Sequence, residues 1–215
     1  MPKDTLFEGK VTFAMVEPPV LAGIAGVTRA SSFVDSIYDA AELSKASVHS
    51  MVGDIATISW NATHRVLQSE MKATKFLWQL QKAHRDSGLG EVAAVAFTGT
   101  ASCYSITSSK KQHATMIAAK WMPMAHAALK LARRFRTVLL DEATTAASAM
   151  NFETIIVDSA VLLKPKADCD EDEDDSAAML LSMIRRFDAL QPVEVLRASH
   201  VFQLLREVQH DEGEW

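Results

Sequence analysis

The chain carries one dense run of carboxylates, between Asp168 and Asp175, in which Cys169 is the only residue that is not acidic. Carboxylates are common calcium ligands, but an EF-hand loop needs ligands at alternating positions around a turn glycine, and the run has neither. Like charges in a block repel one another and do not pack. The sequence therefore predicts a solvated acidic loop at 168–175.

The two cysteines, Cys103 and Cys169, are the next candidates for chemistry. They lie far apart and form no CxxC or Cys/His spacing, which argues against a zinc site and a disulfide framework and indicates a reducing compartment. No apolar run reaches the roughly 18–20 residues of a membrane span, and the N-terminal segment lacks the apolar core of a signal peptide. We expect a cytoplasmic protein with no membrane span in this chain.

Composition narrows the class of protein further. The 215 residues are 48% hydrophobic and 23% charged, as in ordinary globular chains, and the net charge of −5 argues against nucleic acid as a partner. Only 8 residues are glycine, about half of the usual share of about 7%, which disfavours folds built on glycine-rich phosphate loops. We expect a single α/β domain over residues 1–215.

Hydrophobic periodicity and turn residues predict the order of the elements in the first half of the chain. The first elements are a strand at 11–16 that stops at Glu17-Pro18-Pro19 and a helix at 31–46 capped by two serines. A hairpin of 48–51 and 55–60 around Gly53-Asp54 and a helix at 64–84 follow. The next strand, at 91–97, is followed by a Thr98-Gly99 turn and a return strand at 100–107.

The second half continues as a mixture of helices and strands. The pattern predicts a helix at 120–135 with Arg133 facing outward, a strand at 137–140, a short helix at 142–149 capped by Asp141, and a strand at 152–157. After the acidic loop it predicts a helix at 177–190, a strand at 192–196 and one or two helical turns at 201–208. No boundary divides the chain.

The first six elements follow the βαββαβ plan of a ferredoxin-like sheet, to which further strands and helices are added. Many unrelated functions use this plan. An interaction domain with no enzymatic ancestry is therefore one interpretation of the sequence.

Several short motifs, in the same order and at similar spacing, resemble those of the class III adenylyl and guanylyl cyclases. Residues 11–17 are similar to the first strand of that family, 48–56 to its Gly-Asp hairpin, and 95–99 to a strand that ends in Thr-Gly. Residues 136–142 and 192–196 extend the resemblance over most of 11–198. The resemblance implies a cyclase-homology domain with a ferredoxin-like core.

The resemblance implies a reaction and two candidate metal ligands. In such a site the ribose 3′-hydroxyl of ATP or GTP attacks the α-phosphate, aided by two Mg²⁺ or Mn²⁺ ions that paired carboxylates hold. Asp54 stands where the family has its second aspartate, and Glu17 stands in place of the first. A Gly-Asp turn is also favoured for its backbone geometry alone, so a purely structural role for Asp54 stays open.

Other positions depart from the family pattern. Pro18 and Pro19 lack the backbone N–H groups that contact phosphate in the family, and Ser50 replaces a purine-reading lysine. Pro123 and Ala127 fall where the family has an asparagine that orients the ribose and an arginine that stabilises the transferring phosphorus. His126 is either a substitute for these groups or a partly buried helix residue. We assign no catalytic residue.

Four functions remain open from the sequence. A catalytically inactive domain would act through dimerisation with itself or with another cyclase-type domain, in the regulation of cyclic-nucleotide signalling. A divergent cyclase would use Glu17 and Asp54, a nucleotide sensor would bind without turnover, and an unrelated domain would do neither. The methionine-rich segment 116–124, with Trp121, is either an association surface or part of the core.

Overall fold

The structure, a computed structural model, describes residues 5–18, 24–52, 54–107, 113–157 and 201–208. Its strands are β1 (Thr5–Glu17), β2 (Ser47–Val52), β3 (Ile55–Trp60), β4 (Ala93–Thr107), β5 (His113–Ala118), β6 (Val138–Asp141), β7 (Phe152–Val157) and β8 (Val201–Glu207). Its helices are α1 (Ile24–Ser44), α2 (Ser69–Asp86), α3 (Met122–Phe135) and α4 (Glu142–Ser148). None of these helices is long and apolar enough to cross a membrane.

The strands form one mixed sheet in the order β2-β3-β1-β4-β6-β8-β7, and β5 pairs with the distal part of β4. The four strands β2, β3, β1 and β4 are antiparallel neighbours, which is the ferredoxin-like arrangement. β6 lies parallel to β4, and β8 and β7 complete that side antiparallel to their neighbours. The predicted fold class is confirmed.

Alternation along β1 divides the core between the two faces of the sheet. Ala14 and Val16 point to the face covered by α1 and α2, where the larger cluster includes Trp60 and Phe76. Phe13 and Met15 point to the opposite face, which α3 covers with buried Ala125, Ala128, Leu129 and Ala132. The residue that follows Met15 on the α3 face is Glu17.

A chain of buried hydroxyl groups ties β1 to β4, α2 and α4. Thr12 Oγ1 lies 3.1 Å from Ser69 Oγ and 2.9 Å from Thr98 Oγ1, and Thr98 Oγ1 lies 2.9 Å from Thr144 Oγ1. Each hydroxyl can donate one hydrogen bond and accept others, so the four groups satisfy one another away from water. This network gives the centre of the sheet a polar interior that the sequence pattern did not predict.

The predicted turn at Thr98-Gly99 is wrong. β4 runs without interruption through both residues, which pair with Thr12 and Val11 of β1. The glycine serves close packing instead, because a Cβ atom at Gly99 would lie 2.5 Å from Nε1 of Trp121. The strand that returns along β4 is β5, not 100–107.

Two further element predictions are corrected. α1 begins at Ile24, so the two serines at 31 and 32 are exposed residues inside the helix and not its cap. Residues 201–208 were predicted as helical turns, but β8 is a strand between β6 and β7. The error arises because β8 is buried on both faces of the sheet. Val201 belongs to the cluster under α3 and Leu204 to the cluster under α1 and α2, so two buried residues stand at a helix-like spacing within a strand.

The remaining predicted elements divide between confirmed and undescribed parts of the chain. The β2–β3 hairpin, α2, α3, the short α4 after Asp141 and β7 are confirmed. The acidic loop at 168–175, the helix at 177–190 and the strand at 192–196 lie outside the described residues.

Candidate functional site

Glu17 is a buried carboxylate at the end of the apolar face of β1. Period-two alternation places it after Phe13 and Met15 on the side that α3 covers, and only 5% of the residue is exposed. A buried carboxylate is stable when it is paired or hydrogen-bonded. The identity of its partner therefore decides what this end of the sheet can do.

The partner of Glu17 is Arg133, in the last turn of α3. Arg133 Nε donates a hydrogen bond to Glu17 Oε2, and the two side chains form an ion pair. Leu129 and Ala132 anchor α3 in the core, so Arg133 projects from the edge of the buried stripe toward the end of β1. Arg133 faces outward as predicted, with 46% of its side chain exposed, and its guanidinium still reaches the buried carboxylate of Glu17.

Asp54 approaches the same arginine from the turn between β2 and β3. Its Oδ2 lies 4.0 Å from Nη2 of Arg133, at the outer limit of an ion pair, and 60% of its side chain is exposed. The pairing of Val16 with Ala56 brings the start of β3 beside the end of β1, which explains why Asp54 and Glu17 converge. One guanidinium thus faces both predicted metal ligands.

The residues present do not fit a divalent cation between Glu17 and Asp54. A cation there would lie beside the permanent positive charge of Arg133, which already donates to Glu17. Over the described ranges, no group of three or more His, Cys, Asp and Glu side chains is placed to hold a metal ion. The arrangement is an ion-pair cluster in which the arginine neutralises Glu17 and faces Asp54.

The backbone beside this cluster is also tied to α3. Arg136 lies at the C-terminal end of the helix with a φ of 48°, and its Nη1 donates to the carbonyl oxygen of Pro18 at 3.4 Å. Pro18 has no N–H to offer a phosphate. A second arginine, Arg136, therefore holds the carbonyl group of Pro18 directly after β1.

Ser50 lies on β2 and bonds within the hairpin. Its Oγ lies 2.6 Å from Oγ1 of Thr57, and the register shift next to it turns His49 Nε2 to within 2.6 Å of Ser59 Oγ. Burial lowers the pKa of His49, so the imidazole is neutral over more of the physiological range. These polar groups satisfy one another across β2 and β3.

The two predicted site positions on α3 lie far from the carboxylates. Pro123 is in the first turn and Ala127 one turn later, whereas Arg133 is about 15 Å along the axis from Pro123. His126 is exposed, so it is not the partly buried helix residue of the second alternative, and its Nδ1 donates to the carbonyl oxygen of Met122 at 2.9 Å. One chain does not bring Pro123 or Ala127 to Glu17 and Asp54.

The segment 116–124 divides between surface and core. Met116 is 59% exposed, whereas Met122, Met124 and Trp121 pack against the cluster under α3. Trp121 lies 6.2 Å from the ring of Phe13 and donates from Nε1 to the carbonyl oxygen of Thr100 at 3.2 Å. Neither of the two sequence interpretations holds for the whole segment.

Sequence comparison finds no matching family model and no matching curated protein. Solved structures that match nearly the whole chain include three cyclases. The adenylyl cyclase CyaB from P. aeruginosa is 10% identical, with a TM-score of 0.64 over 97% of this chain and 100% of that chain. The guanylyl cyclase Cya2 is 12% identical, with a TM-score of 0.59 and 96% of both chains covered.

The third is the dimeric guanylyl cyclase domain of the RhoGC fusion protein from the aquatic fungus Blastocladiella emersonii. It is 9% identical, with a TM-score of 0.61 over 95% of this chain and 99% of that chain. At these identities the likeness concerns the fold alone. The protein has the fold of the class III adenylyl and guanylyl cyclase domains.

Proposed function

We propose that this chain is a cyclase-homology domain that does not turn over nucleotide and that acts by pairing with a domain of the same fold. The partner is a second copy of the chain or a competent cyclase, and the setting is cyclic-nucleotide signalling. The observation that carries the proposal is the ion pair between Arg133 and Glu17, with Asp54 at the edge of the same guanidinium.

Charge is the first support for the loss of turnover. Two-metal catalysis requires carboxylates that are free to bind cations. Here the better buried carboxylate, Glu17, is already neutralised by a group of the same chain. A metal would have to displace Arg133 from this carboxylate or lie beside its positive charge, and charge repulsion opposes the second arrangement.

The chemistry of the other positions is the second support. Pro123 and Ala127 have no polar side-chain atoms, and Ser50 carries no charge. Removal of one preorganised electrostatic contact commonly lowers a rate by about 10²–10³. Several such contacts are absent together, so we expect no measurable turnover from this chain alone.

An exposed apolar row supports association. Leu6 pairs with Tyr104, Tyr104 pairs with Met116, and the three side chains are 66%, 41% and 59% exposed on adjacent strands. A row of this kind on one face is suited to contact with another protein. The solved domain from Blastocladiella emersonii is described as dimeric, and we extend pairing to this chain.

We also propose that residues 1–215 form one domain, with 168–175 as an acidic loop on it. The single sheet that β1 to β8 share supports this organisation. The loop would then be solvated, because a block of like charges does not pack.

Turnover is tested by incubating the full chain with Mn²⁺ and either ATP or GTP and measuring cyclic nucleotide by mass spectrometry. We expect no product above that of the Asp54→Ala variant. The convergence of Glu17 and Asp54 favours a divergent cyclase as the second candidate. Product that disappears in Asp54→Ala would establish that candidate and overturn the proposal.

Association is tested by sedimentation velocity of the chain alone and mixed with a class III cyclase domain. We expect a dimer in one of the two samples, and we expect Tyr104→Lys to weaken it by at least tenfold. Tyr38→Lys is the matched control, since Tyr38 is 55% exposed on α1. Monomers in both samples at high concentration would contradict the proposal that the chain acts by pairing.

A further inference from the structure

A cavity of about 580 Å³ lies between the distal part of the sheet and the loop that joins β3 to α2. Phe7 of β1, Cys103 of β4 and Thr115 of β5 form its sheet side, and residues 61–65 form the other side. Phe7 is ten residues from Glu17, about 33 Å along an extended strand. The cavity is therefore separate from the ion-pair cluster.

The loop side of the cavity is held in place by hydrogen bonds. Asn61 has a φ of 69°, its Nδ2 donates to the carbonyl oxygen of Lys10 at 2.6 Å, and its Oδ1 accepts from Val66 N at 3.2 Å. His64 Nε2 donates to the carbonyl oxygen of Lys45 at 3.1 Å. The wall is preformed, which lowers the entropic penalty of binding.

The sheet side is apolar and shaped by a glycine. A Cβ atom at Gly9 would lie 2.5 Å from Cζ of Phe7, so only glycine lets that ring lie against the strand. Cys103, which is buried, completes this wall. Burial raises the pKa of its thiol, so little of it is thiolate and it reacts more slowly than an exposed cysteine.

Arg65 gives the cavity its charge. It is exposed and makes no ion pair with any described residue, and none of the described lining residues is acidic. Both ring nitrogens of His64 already have partners, Lys45 and Thr63. The guanidinium of Arg65 is thus the lining group that is free to pair with an anion.

We propose that this cavity binds a small organic anion, with its carboxylate, sulfonate or phosphate on Arg65 and its apolar body against Phe7 and Cys103. The volume lies within the range of about 300–1,000 Å³ that small-molecule sites have. The site is independent of turnover and of pairing, because none of its residues belongs to the Glu17 cluster or to the exposed row.

Two fluorescent probes with similar aromatic bodies test the proposal on the full chain: the anionic 1-anilinonaphthalene-8-sulfonate and the uncharged N-phenyl-1-naphthylamine. We expect the anion to bind at least tenfold more tightly. We expect Arg65→Gln to abolish that preference, and Arg134→Gln, which removes an exposed arginine of α3, to retain it. Equal affinities for the two probes in the native chain, or an unchanged preference in Arg65→Gln, would overturn the proposal.

Cys103 reports where the probe binds. In a Cys169→Ser background Cys103 is the remaining thiol of the chain. We expect saturating sulfonate probe to slow its reaction with a disulfide reagent several-fold, and Thr115→Trp to abolish this protection by filling the cavity. A thiol reaction rate that the probe leaves unchanged would contradict binding in this cavity.

Discussion

Arg133 Nε donates a hydrogen bond to Glu17 Oε2 across 116 positions of sequence. The contact joins the end of the first strand to the last turn of α3, and it gives the buried carboxylate of Glu17 a hydrogen-bond partner. The same guanidinium faces Asp54. In our account this arginine holds the two carboxylates as a structural cluster.

Arg133→Gln should destabilise the fold, because it leaves the charge of Glu17 buried without its partner. We expect a loss of about 1–3 kcal/mol in the free energy of unfolding, measured by urea titration. Arg134→Gln, one residue away and exposed, should change it by less than about 0.5 kcal/mol.

A double variant separates this effect from a general weakening of α3. Glu17→Gln in the Arg133→Gln background removes the unpaired charge, so we expect it to restore part of the lost stability. Additive losses from the two substitutions would contradict the role of the ion pair.

Gly99→Ala should be destabilising although the residue lies inside a strand. The added Cβ would meet Trp121, whose Nε1 would have to give up the carbonyl oxygen of Thr100. We expect a loss of about 1–3 kcal/mol, from chemical unfolding followed by tryptophan fluorescence. In a Trp121→Ala background the same substitution should have little effect, and an undiminished loss there would show that the ring is not the cause.

Asp141 holds two elements with its two oxygens. Oδ1 accepts from the N–H of Thr144 at the start of α4, and Oδ2 accepts from the N–H of Thr98 on β4. Asp141→Ala should lower the free energy of unfolding by about 2 kcal/mol, from the lost cap and the unpaired strand N–H. Asp141→Asn keeps one acceptor oxygen, so a loss as large as that of alanine would contradict the double role.

Stability should fall when the pH drops below about 6.5, the usual pKa of histidine. His84 is 1% exposed, neither of its ring nitrogens has a hydrogen-bond partner among the described residues, and burial lowers its pKa. Below this pH the unfolded chain binds a proton at His84 that the folded chain does not bind. The free energy of unfolding therefore decreases as the pH falls.

Urea titrations between pH 8 and pH 5 measure this dependence. His84→Leu should reduce the slope of stability against pH. Burial also lowers the pKa of His49, which should account for a further part of that slope. An unchanged slope in His84→Leu would contradict the assignment.

Local signals predicted much of the fold. The Gly-Asp hairpin, the cap at Asp141 and Pro123 in the first turn of α3 each depend on neighbouring residues, and all three are found as expected. The errors arise where distant pairing decides. Gly99 suggested a turn, but β1 pairs with β4 from Ala93 to Ser105 and Trp121 covers the glycine.

The same limit applies to the candidate site. The sequence indicated Glu17 and Asp54 through their motifs, but the partner of both is Arg133 on a helix far along the chain. Arg133 lies four residues after the buried Leu129, at the edge of the apolar stripe of α3. This position indicates the partner of Arg133 only when the packing of α3 against β1 is known. The local motifs are the same whether the carboxylates are free or paired with arginine. Only a tertiary contact distinguishes the two arrangements.

Binding of Mn²⁺ tests the central claim most directly. Isothermal titration of the native chain should show no Mn²⁺ site beyond those that remain in Asp54→Ala, because Arg133 already pairs with Glu17 and its charge repels a cation beside Asp54. Arg133→Ala should gain a site that Asp54→Ala abolishes. A Mn²⁺ site in the native chain that disappears in Asp54→Ala would contradict the account, since the carboxylates would then be free to bind metal.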